Sequence, residues 1–306
     1  IKADRAVADT VRGITPELKP LVRDYEAAAH AFFKAYRARD WRLADSLLAE
    51  YGRTASLVAG AKGTFDAALL LAGPRKDEAR QTLTDISPSD LEAKPTEEKL
   101  DLLDGLRATG EPLTPEERKL QRKLYNSLDY DPEFKRVDEE RRDELVTALK
   151  ADKDVTDARD KWSEMTDDQR LAVLMKVLNA ECKVYDIPAP AVRLFNEPPG
   201  DEGFFSSGSM TLNLNTHPES GWSDYKEAVN TVVHENMHKY QAVLVQRLEE
   251  GIITKDDPEY MQAKIFAAND APGGYVDTEE TLDDDEAGTN PYKTQPLEAH
   301  AWDTGD

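Results

Sequence analysis

Cysteine is nearly absent. Cys182 stands alone among 306 residues, so no internal disulfide can form and nothing here calls for an oxidising compartment. Long apolar runs are missing too: the longest, Ala67 to Ala72, falls far short of the ~18 residues a membrane-spanning helix needs. Positive charge is scarce, with 39 Lys and Arg against 61 Asp and Glu, a formal net charge of −22. A protein that grips a phosphate backbone needs basic surface to displace counterions, so nucleic acid is excluded as a partner. A charged partner of this chain should be basic. The N-terminus, Ile1-Lys2-Ala3-Asp4, lacks an initiator Met and an apolar signal core, and reads as a processed chain. What is present is 39% hydrophobic residues, too many for a disordered polymer, over a length that suits about two domains. The expectation is a soluble chain with no membrane span.

Periodicity sorts the chain into a helical accessory region over 1–86, a helical connecting region over 87–161 and a last domain over 162–306. Thr15 can cap a helix with Pro16 in its first position, and Leu21, Tyr25, Ala28, Phe32 and Tyr36 then form one apolar stripe. A second helical run is expected to stop at Gly73-Pro74, and Ile86-Ser87-Pro88-Ser89-Asp90 reads as a linker. Thr114 and Glu117 have the spacing of a capping box. From Glu133 to Lys161 charges of both signs interleave, as on solvated helix faces. None of this carries a chemical motif, and a docking or delivery role is the reading.

The character changes after Trp162. Thr166 and Gln169 form another capping box, opening a helix on which Leu171, Leu174, Leu178, Cys182 and Tyr185 share one side. Ala191 to Phe195 reads as a strand, and Gly200 to Gly208 as a loop. Met210, Leu212 and Leu214 then alternate with Thr211, Asn213 and Asn215, the pattern of a half-buried strand at a sheet edge. A peptide can add to such an edge, which makes Thr211, Asn213 and Asn215 the candidate substrate strand. Ser223 is the expected cap of a long helix that stops at Gly251. The fold class is α+β, predominantly α.

That long helix carries His234-Glu235-Asn236-Met237-His238, an HExxH motif. At about 100° per residue the two imidazoles lie only about 40° apart, one turn from each other, and can reach one ion. Glu235, rotated by about 100°, suits contact with a water bound to that ion. With 5 His and 61 acidic residues, chance supplies roughly 0.02 such motifs in a chain of this length. Gln241 shares the histidine stripe, placed to orient a ligand or simply to pack. The third ligand is sought downstream, in Pro296-Leu297-Glu298-Ala299-His300-Ala301. Glu298 falls in the first turn of a short helix, with small Ala301 allowing a close approach; His300, about 200° away, is the rival, followed by an acidic residue within Asp277–Glu286. His30 reads as structural and His217 as an exposed turn residue.

From about Trp162 to its end the chain resembles the zincin superfamily of zinc metallopeptidases, and within it the gluzincin branch, whose third ligand is a Glu on a later helix. His234 to Gln241 is similar to the HExxHxxQ form of metallopeptidase domains attached to bacterial toxins and injected effectors, and Pro296, Glu298 and Ala301 fit a PxExxA pattern. The resemblance implies a small sheet with an active-site helix, a catalytic Zn2+ on His234, His238 and Glu298, and hydrolysis of a protein or peptide substrate. It also implies secretion or injection into a target cell. Glu235 would act as general base toward a water that zinc acidifies from 15.7 toward ~7. Tyr275, Tyr292 and His300 are the candidate oxyanion donors. One departure stands out: many gluzincins place an Asp four residues after the ligand Glu, where this chain has Trp302, with Asp303 one residue late.

Residues 251–306 hold 3 basic and 14 acidic residues, and the run Asp277 to Glu286 offers an acidic rim for a basic substrate or, equally, a solvated loop. Two other functions stay open: a metal-binding but non-catalytic acidic module engaging a basic partner, and a zinc hydrolase of a non-peptide amide.

Overall fold

The computed structural model describes residues 73–109, 111–198, 202–207, 209–276 and 290–305. The stripe from Leu21 to Tyr36, His30, the helical run before Gly73 and the acidic segment Asp277–Glu286 lie outside them. Helices dominate, with one small mixed sheet, so the fold is α+β and mostly α. No helix among the described residues is long and apolar enough to cross a membrane. The chain divides into two compact units, one reaching Leu124 and including Ala271–Gly274, the other formed by Tyr125–Asp270 and Tyr275–Asp306.

In the first unit, helix α1 covers 73–85, followed by α2 (Pro88–Glu92), α3 (Thr96–Leu106) and α4 (Pro115–Tyr125). Leu83, Leu91, Leu100, Leu103 and Leu106 are buried in it. The expected stop at Gly73-Pro74 is instead helix, because the φ of about −65° that proline enforces is itself a helical value. The expected linker is a capped turn of helix: Ser87 accepts the Asp90 N–H and Pro88 opens α2. The Thr114–Glu117 box forms in both directions, at 2.9 and 3.3 Å. Lys76 pairs with Glu117 at 3.1 Å.

The second unit holds His234, His238 and Glu298. It takes in α5 (Pro132–Ala151) and α6 (Lys153–Lys161), which the sequence placed in a connecting region. Helix α7 (Asp167–Val184) starts at the Thr166–Gln169 capping box and buries Leu174, Leu178 and Cys182. Strands β1 (Ala191–Phe195), β2 (Gly203–Ser206) and β3 (Thr211–Asn215) follow, then α8 (Tyr225–Glu249), α9 (Tyr260–Asp270), α10 (Pro291–Thr294) and α11 (Pro296–Gly305). Asp224, not Ser223, caps α8, accepting from the N–H groups of Lys226 and Glu227. Val233, Met237, Tyr240 and Leu244 of α8 are buried.

The sheet order is β1-β3-β2, with β1 parallel and β2 antiparallel to β3. Strand β3 is therefore central, and the expectation of an edge strand at Thr211, Asn213 and Asn215 is overturned: both of its edges are already paired. Asn213 and Asn215 are buried, while Thr211 is partly exposed. Asn213 donates to Phe204 O, and Asn215 exchanges hydrogen bonds with the Glu197 backbone in both directions. Alternation in sequence reports two faces, not which of them meets water. The outer strands are β1 and β2, and β2 lies inside the segment expected to be a loop. A Cβ on Gly203 would lie 2.8 Å from Asn213 O and from Thr231 Cγ2, so the close approach of β2 to β3 and α8 requires glycine there.

Behind α8 sits a carboxyl that has no charge partner among the described residues. Glu181 of α7 is fully buried beside Asn236, and neither of its oxygens makes a hydrogen bond of normal geometry. Burial pushes its pKa well above 4.5. Such a group stabilises the fold fully below its unfolded value, and that stability is lost as pH rises toward the folded value, by about 1.4 kcal/mol per unit. Urea unfolding of Glu181→Gln and the parent should therefore diverge with rising pH, the variant gaining relative stability above about pH 5. A difference independent of pH would show that Glu181 is not buried as a neutral acid.

Candidate metal centre

Three side chains from two helices meet at one point. His234 and His238, one turn apart on α8, bring their Nε2 atoms to 3.2 Å, with ring planes at 89°. Glu298, in the first turn of α11, places Oε2 3.4 Å from His234 Nε2 and Oε1 3.3 Å from His238 Nε2. Glu298 is 0% exposed. These ligand atoms lie within 4.8 Å of one another, and the group can hold a metal ion.

Local packing explains how α11 delivers the carboxylate. Asn269 of α9 accepts the Leu297 N–H at 2.9 Å, supplying the first turn of α11 with a partner. Gln295, just before that turn, bonds the Val276 backbone through both ends of its amide. Ala301 is fully buried, and a Cβ on Gly305 would collide with Asn230, so α11 lies tightly against α8.

The hydrogen bonds fix the state of His238. Gln241 Nε2 donates to Leu297 O at 2.8 Å, which turns Oε1 toward His238 Nδ1 at 2.9 Å. An amide oxygen only accepts, so Nδ1 carries a proton, and whenever the ring is neutral its Nε2 lone pair points at the cluster. Gln241 thus orients a ligand rather than merely packing. Two imidazole nitrogens this close need a proton or a cation between them, since bare lone pairs repel. His234 lacks the corresponding support: its Nδ1 is buried without a partner, and Trp302 packs on the ring at 4.6 Å between centroids. The Lys293 ammonium lies 4.3 Å over the Trp302 ring.

Electrostatics follow this geometry. Burial raises the Glu298 carboxyl, but both histidines and the Tyr275 hydroxyl outweigh it and hold Glu298 well below the usual carboxylate range. Burial opposes a charge on His238, yet Glu298 and Glu235 prevail and push it up to about 9. Glu235 is raised by burial against the pull of the two histidines, and its Oε2 accepts the Phe205 N–H at 2.8 Å.

The remaining candidates separate cleanly. Tyr275 donates to Glu298 Oε1, so it braces that carboxylate. Tyr292 stacks edge-on to Tyr275 at 6.1 Å, and burial and the Glu298 charge keep its phenol protonated. His300 points away from the cluster and is no ligand or oxyanion donor: its Nδ1 meets Gln241 at 3.1 Å and its Nε2 faces Asp138 at 3.5 Å. His217 lies in the turn after β3, its Nδ1 accepting from Glu219 N–H.

No protein-family model, curated protein or solved structure matches the chain. The site's own geometry carries the reading.

Sequence reasoning missed the Phe205 amide, because β2 was taken for a loop, and Asp138, whose charged surroundings on α5 look solvated while it is buried. Divalent transition-metal ions at about 100 times Kd should stabilise the parent by about 2.7 kcal/mol, roughly 5–10 °C in Tm. Thermal melts of Glu298→Ala with and without the ion should coincide; a full shift would place the third ligand elsewhere.

Proposed function

We propose that the chain is a zinc-dependent endopeptidase of the zincin type, with His234, His238 and Glu298 as metal ligands and Glu235 as general base. The observation that carries this reading is the convergence of two imidazoles and one carboxylate beside a further carboxylate that belongs to none of their contacts. The two imidazole nitrogens, 3.2 Å apart, match the edge of about 3.3 Å expected of a tetrahedron with metal–ligand bonds near 2.05 Å, each Glu298 oxygen lies 3.3–3.4 Å from one of them, and nitrogen–oxygen donor sets of this kind suit zinc. A purely structural zinc site has no use for a carboxylate held where Glu235 is.

When bound, zinc supplies a Lewis acid that acidifies water and polarises a peptide carbonyl. Glu235 accepts a proton from the attacking water and delivers it to the leaving amine nitrogen, so the peptide is split into acid and amine. The Phe205 N–H fixes the carboxylate for this work, and burial lifts its pKa toward the range where a base can both take and return a proton. Tyr275 holds Glu298 in place. Tyr292, a protonated phenol beside these carboxylates, is the donor for the tetrahedral oxyanion.

The Phe205 N–H points toward Glu235 and away from β3, so the open edge of β2 borders the cluster. A substrate segment lies along β2 in this reading, in place of the β3 residues Thr211, Asn213 and Asn215. Action as a toxin or injected effector belongs to the same proposal and rests on the HExxHxxQ and PxExxA patterns.

Glu235→Gln should keep full zinc content and lose at least about 100-fold in cleavage of a peptide library, read by mass spectrometry with and without chelator. Normal turnover by that variant would remove Glu235 as base. Zinc binding with no chelator-sensitive cleavage by the parent would leave a binding module.

A further inference from the structure

A line of buried polar groups runs from the cluster into α5. Gln241, His300 and Asp138 are 1%, 2% and 1% exposed, so water does not substitute for any link. We infer that His300 and Asp138, acting through Gln241, are positioning residues that lock His238 in the tautomer able to bind a metal; the inference rests on the metal centre of the proposed function, though not on its peptidase activity.

The polarity of each link is forced. Leu297 O can only accept, so Gln241 presents its NH2 group on that side. The same NH2 group lies 3.1 Å from His300 Nδ1, which must then be a bare acceptor. His300 therefore carries its proton on Nε2, the atom that faces the Asp138 carboxylate at 3.5 Å, a charge contact rather than a hydrogen bond of good geometry. Arg142 holds that carboxylate at 3.0 Å and keeps it an acceptor. At the other end Gln241 Oε1 takes the Nδ1 proton of His238. Rotating the Gln241 amide by half a turn would set NH2 against His238 Nδ1, drive the proton to Nε2 and close that atom to a cation. It would also oppose two acceptors at Leu297. A His300 with its proton on Nδ1 would favour that wrong rotation, and Asp138 disfavours such a tautomer. The polar partner of the metal ligand thus begins on a helix that carries no motif.

Packing alone does not demand a histidine at 300. Its ring sits among Phe134, Phe266 and Tyr240, with centroids at 5.6, 5.2 and 6.1 Å, surroundings that a leucine fills equally well. His300→Leu and His300→Asn separate the two roles, because the Asn Oδ1 can take the place of Nδ1 as acceptor. Zinc affinity of the full chain, measured by competition with a chromophoric chelator, should fall about 10-fold in His300→Leu and return to within about threefold of the parent in His300→Asn. Should His300→Leu fail to fold, 15N NMR of the zinc-loaded parent labelled at histidine gives the tautomer directly. His300 is expected to carry its proton on Nε2 alone. Parent-like zinc affinity in His300→Leu, equal losses in both variants, or a proton on His300 Nδ1 would each overturn the relay while leaving the metal centre standing. A parent that binds no zinc would overturn both.

Discussion

The close approach of α11 to α8 governs this protein's chemistry. It drives a fully buried carboxylate against two imidazoles whose nitrogens already crowd one another. Burying a charge is costly unless it is paired, and two imidazole lone pairs at 3.2 Å repel. The cluster is therefore unfavourable as a set of neutral and anionic donors and becomes favourable when a positive charge sits among them. Metal-free, a proton on His238 plays that part; a cation would replace it.

Much of the interior serves to hold that approach in place. Small residues at 301 and 305 permit it, and buried amides direct it. Asn269 accepts the N–H of Leu297, Gln295 clasps Val276, and Gln241 reaches from α8 to the backbone of α11. Each of these amides uses oxygen and nitrogen toward different partners, so each fixes a direction as well as a distance. Tyr275 braces Glu298 and the Phe205 amide braces Glu235 from separate elements. The two carboxylates share a small space yet differ in role because their surroundings differ: Glu298 is drawn down by donors, Glu235 is lifted by burial.

What sequence made legible was local. Both capping boxes, the strand over Ala191–Phe195, the length of α8 and the turn shared by His234 and His238 depend on neighbours within a few residues, and each appears as expected. The errors lie where the partner is distant. Alternation at 211–215 described two faces correctly but placed a central strand at an edge, since β2 itself is short, glycine-led and hard to see. Pro74 looked like an ending because proline marks starts and ends alike. Asp138 looked solvated because its neighbours in sequence are, while its own face of α5 is buried against His300 and Arg142.

By itself the sequence determined which residues can make a metal-binding helix, because a spacing of four on an α-helix is a geometric fact of one turn. It also determined that Glu298 and His300 cannot share a face. Only the tertiary structure decided which of the two turns toward His234 and His238, since that depends on the side of α11 that packs on α8. It decided, too, that the other becomes part of the scaffold behind them, for a buried imidazole must find polar partners and Gln241 and Asp138 are the ones it meets.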